Sequence, residues 1–429
     1  MEVAARTAIA ILLALVVASG FLCDGACGAV TVFDVVKDFG AAGDGVTDDT
    51  RAVKAAWGAA CRHGGGQVVV LAAAGHSFLV HATVFAGPCQ GSVTLQVDGT
   101  IVAPGDPETW PANSKRKWLV FYRAHGVSLR GGGLIDGKGH KWWDLPCKPH
   151  TGTHGANANG SCDSPVVRDS PQFHLRFDGC RGVVVRGLAI TSPAASPNTD
   201  GIHVEDTRDV VIADTAVSSG DDCVSIGAGA LDVLVENVTC GPGGHGISIG
   251  SLGKPGSPAP ACVANVTVRD SVVRRSENGV RIKTWQGGAG AVTSVRFERV
   301  RVDAVRRPIV IDQYYCRRRD GCRNGTTSVL VAGVSYAGVR GTYVDDGAGG
   351  PPVRFACSDA APCTGITLAD VELLPASGGA AGGGGGAFCW NAYGTAAAAT
   401  VPPVPCLMGG APSNIQDNSS KSNLKCMTW

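Results

Sequence analysis

Acidic, basic and imidazole side chains recur at matched positions within residues 198–283. The segments are Asn198-Thr199-Asp200, Gly220-Asp221-Asp222-Cys223, Gly244-His245-Gly246 and Arg281-Ile282-Lys283, and each adjoins a short β-branched run. Aligning Gly201-Ile202-His203-Val204, Cys223-Val224-Ser225-Ile226, Gly246-Ile247-Ser248-Ile249 and Gly279-Val280-Arg281-Ile282 puts Asp200, Asp222, His245 and Asn278 in one column. Arg281 then shares a column with His203, Ser225 and Ser248. Three carboxylates on neighbouring rungs cannot all ionise comfortably, so at least one pKa must rise. A protonated carboxyl beside an ionised one can divide general-acid and general-base work. The same aspartates could instead bind Ca²⁺ or cap turns, but a cation site would avoid His245, Arg281 and Lys283. Strand alternation sends Arg281 and Lys283 to one outward face. There they would suit a carboxylate-bearing ligand, or serve as ion-pair partners of the aspartates. Asp200 has the inward parity of Ile202 and Val204, so it is expected at a bend where alternation breaks.

The elements that must hold such columns are short and repetitive. A second series of apolar runs begins at Val183, Val210, Val233, Val266, Val295 and Val329, with spacings of 27, 23, 33, 29 and 34 residues. Each is followed by a member of the first series, so one turn of the chain carries at least two strands; Pro308-Ile309-Val310-Ile311 extends the first series. Strand-rich repeats of this length signal a solenoid. Trp-Asp signatures and fixed leucines are missing, which leaves an all-β, right-handed parallel β-helix. Upstream, residues 31–36, 67–71, 93–97, 126–130 and 182–185 read as strands. Asp48-Asp49-Thr50 reads as the cap of a helix carrying Val53, Ala56, Trp57 and Ala60, placed to cover the open end of the stack. Uninterrupted stacking implies one domain over residues 30–429. Residues 148–165 read as a long loop, and residues 378–429 as a glycine tract followed by a tail pinned by disulfides.

The chain has 429 residues and a net charge of +1, so no global field draws nucleic acid or an anionic membrane. Arg6, the apolar residues 8–18 and the small Ala26, Gly28 and Ala29 read as a signal peptide over residues 1–29, too short to span a bilayer comfortably. Its removal leaves 15 of the 17 cysteines (Cys23 and Cys27 depart), which implies disulfides and one odd thiol. The pairs nearest in sequence are Cys223/Cys240, Cys316/Cys322 and Cys357/Cys363. Sequons at Asn159, Asn237, Asn265, Asn324 and Asn418 fit secretion.

The motifs also resemble a known family. Ser196-Pro197-Asn198-Thr199-Asp200-Gly201-Ile202-His203, Gly220-Asp221-Asp222-Cys223-Val224-Ser225-Ile226, Gly244-His245-Gly246-Ile247-Ser248-Ile249-Gly250 and Arg281-Ile282-Lys283 are similar, in order, to the four signature motifs of polygalacturonases, glycoside hydrolase family 28. Phe39-Gly40-Ala41-Ala42-Gly43-Asp44-Gly45 and Ile135-Asp136-Gly137-Lys138-Gly139 extend the likeness over nearly the whole mature chain, nearest the plant branch. The resemblance implies a secreted, cell-wall enzyme that hydrolyses α-1,4 bonds of pectic galacturonan with inversion, using no metal or cofactor. It implies Asp221 as general acid, Asp200 and Asp222 as the groups that activate water, and His245 as support for the acid. Arg281 and Lys283 would grip a galacturonate carboxylate, Tyr315 would contact substrate, and Asn198 would position its neighbours. A monomer is implied, with pectin and proteinaceous inhibitors as partners and neither nucleic acid nor membrane. Rung spacing alone favours the ~5 Å carboxylate separation of a retaining enzyme over the ~6.5–9.5 Å of an inverting one. Three alternatives stay open: a Ca²⁺-dependent lyase on the same fold, a non-catalytic pectin-binding protein, and a related hydrolase acting on rhamnogalacturonan or xylogalacturonan, to which the Arg281/Lys283 pair is less suited than to consecutive galacturonates. Endo or exo action is not readable from these residues.

Overall fold

The structure is a computed structural model that describes residues 30–64, 68–110, 118–143, 173–316, 325–345, 350–377, 386–410 and 426. The expected leader, the loop at 148–165 and most of the glycine tract lie outside these residues. Backbone hydrogen bonds gather the strands into sheets of 12, 10, 7 and 4 strands, with parallel ladders between successive coils. One coil, for example, contributes Arg208–Ala213, Ala216–Ser218 and Asp222–Ile226 to three different sheets. The result is the expected right-handed parallel β-helix.

The longer apolar runs do not continue as single strands. Gly187, Asp214, Asn237, Asp270 and Arg299 take φ between 50° and 69°, a left-handed conformation that Gly, Asn and Asp enter most readily. Each run therefore bends midway and feeds two sheets. One register differs from the sequence reading: Val334, not Val329, pairs with Val295. Valines flank the left-handed Ser294 and Gly333 on both sides, so the pattern of apolar residues offered two starts.

The 10-stranded sheet carries the residues of interest, and its register explains how they are held. One inward column runs Phe121, Phe177, Val204, Ile226, Ile249, Ile282, Ile311 and Phe355. Each is at most 1% exposed, and burying such a side chain is worth about 1.5–3 kcal/mol. Phe85, Phe121 and Phe177 stack at 5.0 Å intervals. The helix Thr50–Arg62 closes this aromatic file: Trp57 meets Phe85 at 5.0 Å and donates its indole N–H to the Ala86 carbonyl. The cap works differently from expectation. Asp48 accepts from the Thr50 amide, whereas buried Asp49 accepts from the amides of Ala42 and Gly43, closing the preceding turn.

Disulfides join Cys223 to Cys240 and Cys357 to Cys363, as the spacing suggested. Others join Cys61 to Cys89, Cys389 to Cys406 and Cys262 to Cys426; the last ties the tail across 164 residues of sequence. Cys322 lies outside the described residues. Cys180 is a buried free thiol among those described.

Candidate active site

The column read from the sequence exists. Asp222 pairs with His245 across adjacent strands, and His203, Ser225, Ser248 and Arg281 follow one another in register. Asp200 precedes the strand Ile202–Glu205, outside its alternation, while Asp222 opens the strand Asp222–Ile226. The close coil spacing demands glycine at two junctions. A Cβ at Gly220 would sit 1.9 Å from the Ser196 carbonyl oxygen, and one at Gly244 would sit 2.1 Å from the Asp221 carbonyl oxygen. Thr199 locks the first junction: its hydroxyl contacts Ser196 and accepts from the Gly220 amide at 2.9 Å. Asn198, partly buried, completes this turn with φ of 55°.

Asp222 is the hub. Its Oδ1 accepts from Ser248 Oγ and the Arg281 guanidinium, each at 2.6 Å, and its Oδ2 accepts from Lys283 at 2.8 Å. Burial would raise its pKa, but the Lys283 and Arg281 charges overcome this and hold the carboxyl far below the usual range. Arg281 and Lys283 do share one face, as alternation required, yet both are engaged by Asp222. That is the ion-pair alternative left open by the sequence.

Asp200 has the opposite environment. It is 6% exposed, and burial together with the negative charges of Asp221 and Asp222 pushes its pKa well above the carboxylate range. Ser225 bonds to it, and His203 stands 3.9 Å away. Asp221 is the most open of the three side chains, 17% exposed against 9% for Asp200 and 3% for Asp222.

His245 faces Asp221, with Nε2 3.9 Å from Oδ1. Its Nδ1 lies 2.8 Å from the Asn278 amide nitrogen, which can only donate. Nδ1 must therefore accept, and the neutral ring carries its proton on Nε2, toward Asp221. Burial and the Arg281 charge lower the His245 pKa and favour that neutral form. Tyr315, not Tyr314, flanks the basic pair: its ring centroid is 5.7 Å from the Lys283 nitrogen, and Trp285 packs edge-on against it.

Several supporting residues escaped the sequence reading as site members. Ser225, Ser248 and Asn278 stood in the aligned columns but had no assigned task. His203 bonds Ser225 at 2.6 Å, approaches Glu205 at 3.4 Å and lies flat on Phe173 with a 4.3 Å ring separation. Its place in the Arg281 column was the available signal. Asp221, Asp222 and His245 bring possible metal-ligand atoms within 4.8 Å of one another. Both Asp222 oxygens are already held by cationic groups, so the set suits proton chemistry better than a metal ion.

Comparison with known proteins gives the family. Residues 61–382 match the family described as glycosyl hydrolases family 28. The chain is 41% identical over 382 residues to a probable polygalacturonase of Arabidopsis thaliana, covering 87% of this chain and 83% of that one. It is 39% identical over 349 residues to a polygalacturonase of Persea americana, covering 79% and 73%. Among solved structures, a polygalacturonase from Erwinia carotovora superposes with a TM-score of 0.57 at 21% identity, covering 83% of this chain and 97% of that one. An endo-xylogalacturonan hydrolase from Aspergillus tubingensis gives 0.56 at 23% identity, covering 85% and 96%. At these identities the structures speak for the shared fold alone. The sequence matches and the extent of the family match go further: the chain belongs to glycosyl hydrolases family 28.

Proposed function

We propose that this hydrolase cleaves the galacturonan of pectin, and that Asp200, Asp221 and Asp222 perform the reaction. The observation that carries the reading is the contrast among the three carboxyls. Asp222 is fixed as an anion by two cations, Asp200 is driven to hold a proton, and Asp221 is the most open to a ligand. The reaction uses the arrangement with a proton on Asp221, which gives it to the glycosidic oxygen. Asp200, freed of its proton, is the stronger base for the attacking water, and Asp222 orients that water. Neutral His245 donates from Nε2 toward Asp221 and stabilises the carboxylate left after proton transfer. Tyr315 borders the bound sugar, and Asn198 shapes the turn that aims Asp200.

The leader-like N-terminus and the disulfides support secretion to the cell wall, with the enzyme acting as a monomer. The relatives named as polygalacturonases support the substrate. The test is purified protein on polygalacturonate in EDTA, following reducing ends and the ultraviolet absorbance of unsaturated sugar together. Rising reducing ends with flat absorbance is expected, and Asp221→Asn should cut the rate by about 10²–10⁴-fold. Rising absorbance would mean a lyase. Early-time NMR of the product anomer then reads inversion against retention.

A further inference from the structure

His174 stands one coil before Asp200, just ahead of the strand Leu175–Asp178, and is 1% exposed. Its backbone N–H and its ring Nδ1 both reach the Asp200 carbonyl oxygen, at 2.7 and 2.8 Å. A carbonyl only accepts, so Nδ1 carries the ring proton and donates it. Burial lowers the ring's pKa to about 4, although the Asp200 and Thr191 backbone would favour the charged form, and above that pH the imidazole is neutral. Nε2 is then a bare acceptor, buried and without a hydrogen-bond partner among the described residues. The same peptide unit is held from its other side, where the Gly201 N–H donates to the Asp222 carbonyl oxygen at 2.8 Å.

Resting on the reaction proposed above, we infer that His174 is a positioning residue, which clamps the Asp200 carbonyl and so aims the Asp200 carboxyl at the attacking water. The carbonyl already accepts from the His174 backbone amide, so the ring bond is not needed to satisfy it. What the second donor adds is direction, since two donors from one residue fix the carbonyl where one leaves it free to swing. The orphaned Nε2 makes the same point. An unpaired polar atom in a dry site is unfavourable, and an apolar ring of this shape would avoid it. The peptide unit joining Asp200 to Gly201 is planar, and its far side is tied to Asp222. A tilt of that plane would therefore change how Asp200 stands to Asp222, the two groups that handle the water. The preceding residue, Phe173, lies flat on His203, which stands 3.9 Å from the Asp200 carboxyl. Phe173 and His174 thus brace Asp200 beside its side chain and at its main chain.

The test compares His174→Phe, His174→Asn and His174→Gln by kcat and KM on polygalacturonate and by hydrogen exchange at the Gly201 amide. His174→Phe keeps a ring but loses the donor, so kcat should fall about tenfold to hundredfold, with KM within about twofold of wild type. His174→Asn places an amide nitrogen near the Nδ1 position and should bring kcat to within about threefold of wild type. His174→Gln, whose nitrogen lies nearer the Nε2 position, should not. Exchange at Gly201 should quicken in His174→Phe and slow again in His174→Asn. Wild-type kcat in His174→Phe, a loss carried by KM, or equal falls in all three variants would each overturn the positioning role. The two readings fail separately. Cleavage by wild type with kcat unchanged in His174→Phe refutes the positioning role alone. Absence of cleavage by wild type refutes the hydrolytic reading, and the exchange pattern at Gly201 still decides whether His174 holds this peptide.

Discussion

Lys283 sets its ammonium 2.8 Å from Oδ2 of Asp222, and the two side chains are only 10% and 3% exposed. Breaking so buried a pair leaves one charge without its partner and out of water. Lys283→Met should destabilise the protein by about 3 kcal/mol, somewhat moderated because Arg281 keeps the other oxygen. Urea unfolding at neutral pH measures this, and an unchanged midpoint would contradict the pairing. Activity should fall as well, because Asp222 then loses the larger of the charges that keep it ionised.

Thr199 touches no sugar in the proposed mechanism, yet it joins the coil of Asp200 to the coil of Asp221 through the Gly220 amide. Thr199→Val should preserve the fold at a cost of about 1–3 kcal/mol for the unsatisfied amide. The expected kinetic result is a lowered kcat with KM little changed, and Thr199→Ser should restore kcat. Equal kcat in wild type and the valine variant would remove Thr199 from the positioning of the acids.

Opposite pH signatures should mark the two buried aspartates. Asp200 holds its proton more tightly folded than unfolded, so its contribution to stability falls as pH rises above the ordinary carboxylate value toward its raised one. Asp222 is depressed, so its contribution is present above the ordinary value and is lost as pH falls toward its folded pKa. Asp200→Asn should therefore gain stability relative to wild type as pH rises above about 4, the ordinary carboxylate value. Denaturant titrations of both proteins at several pH values give the slope; a constant difference would show that burial does not perturb Asp200.

Phe121 sits between Phe85 and Phe177 and is fully buried. Phe121→Ala should cost about 3–5 kcal/mol, with the loss spreading toward the helix Thr50–Arg62, since Trp57 also packs on Phe121 at 5.7 Å. Hydrogen exchange localises the effect: amides of that helix should lose protection first. Uniform loss across the coils would argue against a separate end closure.

The parts of the site that follow from a period of two were legible in the sequence. His203, Ser225, Ser248 and Arg281 fell into one column because strict alternation separates them from Val204, Ile226, Ile249 and Ile282 inside. What periodicity could not show is how side chains reach across coils. Nothing in the spacing says that Arg281 and Lys283 both turn back to Asp222, because that depends on side-chain reach across two rungs. The left-handed bends were equally hidden. Asp214, Asn237 and Asp270 lie inside valine runs, yet each turns the chain into a different sheet. The shift from Val329 to Val334 has the same origin, since valines occupy both sides of the bend.

The register shared by Asp222 and His245 makes the site behave as a segment of a one-dimensional lattice. Each coil supplies one step, and chemistry depends on neighbours in unbroken succession. A coil duplicated or deleted beyond residues 173–316 would lengthen or shorten the surface offered to a polymer while leaving the reacting groups in place. The same event between Asp200 and Lys283 would pull acid from base by a whole step. Length of reach and chemical identity are thus separately mutable along a single axis, and a chain of this kind can change how much polymer it covers without altering what it does to the bond.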